Sequence, residues 1–292
     1  STKSEDLRSL LEDLEAAHGA RRTDHVIGID IPTRDAKAGV IAPPAMDAAL
    51  AAFEEDGVVA LLGVVSKESI DALGEKMLAD ISEYGRDNEI GNNYQGLRPP
   101  PCHPHLFADI VLNEIVIAIS HRILGDGLRQ VTYGANTAFV GSKPQRVHTD
   151  SGQLWPNQTR PTPCARLVVN IPLVDVDEDN GATVYWPGTH HDTRLYGGDR
   201  FPTDDMMDEW AEARPAERVT SRRGDVVLRD LRVWHGGMPN TTDVPRPMLA
   251  MVHQCAWLGS GGIEFEEGTE EFLDHPVLKT EAVFLDAPID YM

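Results

Sequence analysis

The hydrophobic pattern of the chain changes near residue 131, and that change limits its fold more than any other feature. Before about residue 123, apolar residues recur at helical spacing. Ser4 precedes Leu7, Leu10, Leu11 and Leu14, which predicts a helix over 4–18 ending near Gly19. Pro43-Pro44 opens a helix over 45–56 that Gly57 stops. Ser66 caps a third helix, with Ile70, Leu73, Met77, Leu78 and Ile81 on one face, that ends at Gly85. A fourth covers about 106–123. After 131 the runs are short and strand-like, at 131–140, 166–174, 183–186, 225–229, 232–235 and 247–257. Turn signals such as Asp179-Asn180-Gly181 and Pro187-Gly188 separate them. Val58 to Leu62 reads as a buried strand, 20–43 as an extended surface linker, 86–105 as a loop, and 196–217 as an acidic insert with a helix at 204–213. Helices first and short strands after predict an α+β, mainly β, layout around a sandwich or barrel. The helices of 45–123 would cover one sheet. The domain reading is an N-terminal helix and linker over 1–44, then one domain over 45–292. Its strand core spans about 131–257, and a C-terminal tail follows.

Charge narrows the partners. The 292 residues carry 26 Lys+Arg against 47 Asp+Glu, a net charge of −21. Such a field repels nucleic-acid phosphates and anionic membrane surfaces, and no basic run offsets it. No stretch approaches the length of a transmembrane helix. The polar start Ser1 to Asp6 lacks a signal peptide's apolar core, and Cys102, Cys164 and Cys255 are too few and too scattered for a disulfide framework. These features predict a reducing, cytoplasmic setting. The helix at 4–18 reads either as a homodimer contact or as packing on its own subunit.

Histidine spacing carries the chemistry. His148-Thr149-Asp150 and His190-His191-Asp192 each place a carboxylate near a histidine, and either alone is a weak signal. His148 is set apart by its downstream partners: Val233-Trp234-His235-Gly236-Gly237, then Arg246 eleven residues beyond His235. Two histidines and one carboxylate form the facial set used for non-haem Fe(II), which leaves three positions for a chelating co-substrate, O2 or water. The turn from Gly236 to Pro245 predicts an antiparallel return that sets Arg246 near His235 on the adjacent strand, its guanidinium free to fork onto a carboxylate.

HxD, then WHGGxxN, then arginine, together with Asn180-Gly181-Ala182-Thr183 running into Trp186-Pro187-Gly188-Thr189-His190, resembles the phytanoyl-CoA dioxygenase-like family of Fe(II)/2-oxoglutarate oxygenases. The resemblance spans about 45–257. It implies a double-stranded β-helix (a jelly-roll, cupin-like) with helices packed on one sheet. It implies His148, Asp150 and His235 as iron ligands and Arg246, with Thr183, on the distal carboxylate of 2-oxoglutarate. Gln145 and Asn170 match further co-substrate positions; the alternative for both is an ordinary satisfied polar residue. His190 becomes a turn residue, and His103-Pro104-His105 lacks a third partner for a metal. Asp150 keeps the carboxylate that related halogenases lack. The implied reaction uses O2 and 2-oxoglutarate, releases succinate and CO2, and abstracts a C–H hydrogen through an Fe(IV)-oxo species. Its product would be hydroxylated, desaturated or cyclised.

Expected substrate walls are Asn92, Asn93, Tyr94 and Arg98, then Thr132 and Asn136, then Ser151, Gln153 and Trp155. This set is amide-rich, with Arg246 as the site's isolated cation. It disfavours a CoA thioester and suits a neutral or cationic small metabolite from secondary metabolism. Two other readings stay open: a cupin-type metal hydrolase or isomerase without 2-oxoglutarate, which has no use for Arg246, and a non-catalytic binding module on the same scaffold.

Overall fold

A computed structural model of the chain describes residues 21–23, 26–87, 93–94, 96–259, 261–286 and 288–292. The predicted helix at 4–18 lies outside the described residues. In chain order the elements are β1 (Arg21–Thr23), β2 (Val26–Asp30), α1 (Thr33–Ala38), α2 (Pro43–Asp56), β3 (Val58–Leu62), α3 (Lys67–Asp87), β4 (Asn93–Tyr94), α4 (Ala108–Val111) and α5 (Glu114–Leu124). Then come β5 (Arg129–Ala138), β6 (Arg166–Pro172), β7 (Val184–Trp186), α6 (Asp204–Ala213), β8 (Glu217–Arg218), β9 (Val226–Asp230), β10 (Trp234–Gly236) and β11 (Arg246–Gln254). The last are β12 (Ile263–Glu266), α7 (Glu270–Leu273), β13 (Lys279–Thr280) and β14 (Ala282–Leu285).

The large sheet runs β1-β2-β3-β9-β6-β11-β5-β13, with β4 also on β5; a small sheet runs β10-β7-β8. An isolated bridge between His148 and His235 extends the small sheet by one strand segment. From β5 to β11 the chain crosses repeatedly between the two sheets, which makes a double-stranded β-helix.

Period 2 sorts the large sheet into two faces. Val59, Leu61, Leu167, Val169, Ile171, Val226, Leu228, Leu249 and Met251 pack against Ala49, Ala52 and Phe53 of α2 and Ile115, Val116 and Ile119 of α5. Each of these buried aliphatic side chains contributes about 1.5–3 kcal/mol. The opposite face, with Thr132, Asn136, Val168, Asn170, Arg229, Met248, Ala250 and Val252, faces a cavity. Register keeps that face in line: Val252 lies opposite Thr132 and Val168, and Val168 lies opposite Arg229.

The structure corrects two expectations. The stretch 20–43 is not a surface linker, because Val26 to Asp30 forms a parallel strand beside β3. Ile27, Ile29 and Ile31 join the helix-side core while Val26 faces inward, so both faces of this run are buried. The helix expected over 106–123 is two, broken where Asn113 accepts from the Val116 N–H as N-cap of α5. The C-terminal tail carries its own strands: β12 and β14 pair in parallel, and Phe265 is fully buried against Tyr133. The helix expected over 45–56 starts two residues earlier, at Pro43, and the helix at 204–213 and the Ser66 cap stand as expected.

Two buried histidines do not line the cavity. His253 hydrogen-bonds Ser120 on α5, and burial pushes its pKa down to about 3. His190 sits under Gly57, whose φ of +71° leaves room where a Cβ would meet the His190 ring and Val233 at 2.5 Å. Burial takes His190 to about 3 as well, against the opposing pull of Asp230. Both folded pKa values lie below the unfolded value of about 6.5, so the unfolded chain takes up protons that the fold refuses. Stability is therefore complete above about pH 6.5 and lost as pH falls toward 3, at up to roughly 2.7 kcal/mol per pH unit for the pair. These two histidines should contribute about 3–4 kcal/mol to the difference in denaturant unfolding between pH 7 and pH 5, with buried His235 acting in the same direction. A flat profile over that interval would contradict this account of the two histidines.

Candidate active site

His148, Asp150 and His235 are the one group among the described residues that could hold a metal, with ligand atoms within 4.8 Å of one another. Backbone pairing puts them there. The His148 N–H donates to the His235 carbonyl and the His235 N–H to the His148 carbonyl, both at 2.9 Å. The Asp150 N–H donates to the Leu231 carbonyl, which closes the HxD segment over the end of β9. Each imidazole is oriented from behind. Nδ1 of His148 donates to the Arg146 carbonyl at 2.8 Å, and Nδ1 of His235 to the Val233 carbonyl at 3.1 Å. That fixes the tautomer and leaves both Nε2 atoms free toward Asp150, each 3.7 Å from a carboxylate oxygen.

Electrostatics favour neutral histidines beside an ionised carboxylate. Burial lowers His148, and burial reinforced by Arg229 takes His235 to about 3. For Asp150, burial pulls upward, but Arg229 and the histidines outweigh it and hold the carboxyl well below its usual range.

A cavity of about 590 Å³ opens on these residues. Thr132, Asn136, Gln145, Asn170 and Thr183 line it as expected, and so does Arg98. Asn170 donates to the Leu249 carbonyl, and Gln145 accepts from the Gly237 N–H. The Thr183 side chain shares a hydrogen bond with the Tyr185 hydroxyl. Arg246 lies behind this lining, 1% exposed. Its Nη2 donates to the Gly181 carbonyl at 2.9 Å, where Gly181 adopts a φ of +94° with no room for a Cβ beside the Met238 carbonyl. Its Nε has no partner, and neither has Asn136 Oδ1. Burial takes the guanidinium down to about 10, so it stays charged at neutral pH.

Other expected residues stand elsewhere. Asn92 lies outside the described residues. Asn93 and Tyr94 are described by their backbone alone, which pairs opposite Ala138 and Thr137. Gln153 is not a substrate wall: its amide donates to the His190 and Asp192 carbonyls and accepts from Arg232, so it is spent holding loops. Ser151 lies beside Asp230 and Arg232, outside the cavity. Trp155 stacks on Trp257 at the surface, half exposed, and does not line the cavity. Arg246 is not on a strand adjacent to His235. The turn after Gly236 carries the chain from the small sheet to the large one, so the two residues come from facing sheets.

Nor is Arg246 the site's isolated cation. Arg229 lines the cavity, 3% exposed, with Nη2 at 2.5 Å from Asp150 Oδ2, and Arg98 lines it with Glu264 3.8 Å away. The tail adds Gly262, Ile263 and Glu264 to the wall. Sequence reading passed over Arg229 although it carries a signal: one charge on the inward face of the apolar run Val226-Val227-Leu228.

Comparison with known proteins agrees with this geometry. The chain is 28% identical over 224 residues to the dioxygenase FUM3 of Gibberella moniliformis, covering 70% of each chain. Among solved structures it resembles SnoK, a non-haem α-ketoglutarate-dependent carbocyclase from nogalamycin biosynthesis, with a TM-score of 0.52 and 25% identity over 71% of this chain and 83% of that one. HygX of Streptomyces hygroscopicus, solved with nickel and 2-oxoglutarate bound, shares the fold at a TM-score of 0.56 and 14% identity, over 79% of this chain and 95% of that one. The model of the phytanoyl-CoA dioxygenase (PhyH) family matches residues 53–248, a span that holds all three metal-capable side chains and Arg246, and the chain belongs to that family of dioxygenases.

Proposed function

We propose that the protein is a non-haem Fe(II)- and 2-oxoglutarate-dependent oxygenase that hydroxylates, desaturates or cyclises a small-molecule metabolite. In this reading His148, Asp150 and His235 hold iron and Arg246 holds the distal carboxylate of 2-oxoglutarate. The observation that carries it is a buried guanidinium with no carboxylate partner among the described residues, within the same fold as an open His–Asp–His face. A buried charge without a counter-charge is costly, so the fold is built to receive an anion there. Arg246 Nε, unpartnered, gives the incoming carboxylate a donor.

When bound, iron and 2-oxoglutarate would activate O2, the oxidant, and the co-substrate would be oxidised to succinate and CO2. The chain does the rest. The backbone carbonyls of Arg146 and Val233 hold the two imidazoles in one orientation. Thr183 and Tyr185, tied together, and Asn170, tied to β11, stiffen the co-substrate end. Val168, Leu231, Met248, Ala250 and Val252 form an apolar wall that limits water around the reacting C–H bond. Beyond the space a co-substrate takes, the cavity has room for a compact metabolite. The carbocyclase SnoK supports natural-product tailoring as the setting.

The test is anaerobic addition of Fe(II) and 2-oxoglutarate, followed by O2. A metal-to-keto-acid charge-transfer band should appear and decay with release of succinate, faster with the right metabolite in a screened panel. Absence of the band at saturating 2-oxoglutarate would end this reading.

A further inference from the structure

The most costly residue in the cavity is Arg229. It projects from the centre of the large sheet, in register with Val168, where the neighbouring strands offer Val252 and Thr132. A guanidinium buried among valines carries a desolvation penalty of several kcal/mol, which a structural role on the outer face would avoid. Its contacts are few: Nη2 on Asp150 Oδ2 at 2.5 Å, Nη1 on the Asp230 carbonyl at 3.4 Å, and the Tyr185 ring 5.8 Å away; Nε is unpartnered.

The shortest of those contacts falls on Asp150. Asp150 is the only member of the metal-capable trio not oriented by a backbone carbonyl, and its side chain is 27% exposed. Oδ2 accepts from Arg229 and lies 3.7 Å from His235 Nε2. Oδ1 lies 3.7 Å from His148 Nε2 and 3.7 Å from Arg200 Nη2, whose side chain is 45% exposed and screened by solvent. We propose that Arg229 is a positioning residue that grips Oδ2 and so presents Oδ1 of Asp150 as the ligand atom. The proposal rests on the iron-site reading above. It gives Asp150 what Arg146 and Val233 give the histidines, a fixed orientation from behind.

The competing account is simple charge balance, in which Arg229 merely offsets a buried carboxylate. The two accounts predict opposite signs. Removing a cation from beside a divalent metal strengthens metal binding by electrostatics alone. Removing an orienting partner weakens it, typically by about 10–100-fold.

The experiment uses the purified full chain with Co(II) as a redox-silent probe, read by calorimetry and by the visible Co(II) spectrum. Arg229→Met, which keeps bulk and loses the donors, should bind Co(II) at least about tenfold more weakly, with an altered spectrum. Arg229→Lys, a point charge without the fork, should recover only part of the loss. Affinity in Arg229→Met that is unchanged or tighter overturns the proposal. If that variant shows no cooperative melting transition, Arg229→Lys decides: weaker binding than the parent supports the proposal, and parental affinity overturns it. A parent chain that binds neither Co(II) nor 2-oxoglutarate overturns the iron-site reading as well, so the two failures are told apart.

Discussion

His235→Ala is expected to abolish metal binding and with it all O2-dependent succinate formation. His235 supplies one of three ligand atoms, and its backbone N–H and carbonyl make the reciprocal pair with His148. Only the side chain is lost in the variant, so the strand bridge survives and His148 and Asp150 stay in place. Two remaining ligands leave a site weaker by more than the roughly 10–100-fold attached to a lost supporting residue. The measurement is anaerobic Fe(II) titration of parent and variant, beside melting of the metal-free proteins. Burial holds the His235 pKa at about 3, so the metal-free parent keeps this imidazole neutral and ready to bind at neutral pH. A variant that melts normally yet binds Fe(II) with parental affinity would remove His235 from the site.

Arg246→Ala should leave Fe(II) binding near that of the parent and weaken 2-oxoglutarate binding by about 10²–10³-fold. That range corresponds to roughly 3–4 kcal/mol, in the lower part of the loss expected when one member of a buried, hydrogen-bonded charge pair is removed. The guanidinium is preset: Gly181 holds Nη2, the Asn136 carbonyl lies 3.5 Å from Nη1, and the unpartnered Nε is left for a ligand. Arg246→Lys should recover little, since an ammonium lacks the planar fork that matches a carboxylate. The loss should appear in the apparent KM for 2-oxoglutarate, with the Fe(II) titration as control. Equal 2-oxoglutarate affinity in parent and Arg246→Ala would favour the metal hydrolase or isomerase reading.

The metal-capable trio was legible because its members sit in short motifs that backbone pairing keeps together. HxD places two ligands on one strand end, and the WHGG run marks the third. Arg246 was legible as a residue but not by its route. Linear spacing suggested an adjacent strand, whereas the turn after Gly236 crosses between sheets. Gln153 was misread for a related reason. A side-chain amide after HxD can face the cavity or brace a loop, and only its partners His190, Asp192 and Arg232, distant in sequence, decide which. Val26 to Asp30 was hidden by the polar residues around it, although its nearly unbroken apolar run fits a strand buried on both faces.

By itself, the sequence determined the fold class and the chemistry of the trio. The switch from helical to alternating apolar spacing and the local HxD geometry depend on neighbours along the chain. Only the tertiary structure decided which cations share the cavity. Arg229 and Asp150 lie 79 residues apart and meet because β9 runs beneath the HxD segment. Ile263 and Glu264 reach the wall only through the folding back of the tail. A charge on a strand reads the same in sequence whether it faces solvent or metal, and the partner that compensates its burial comes from across the fold.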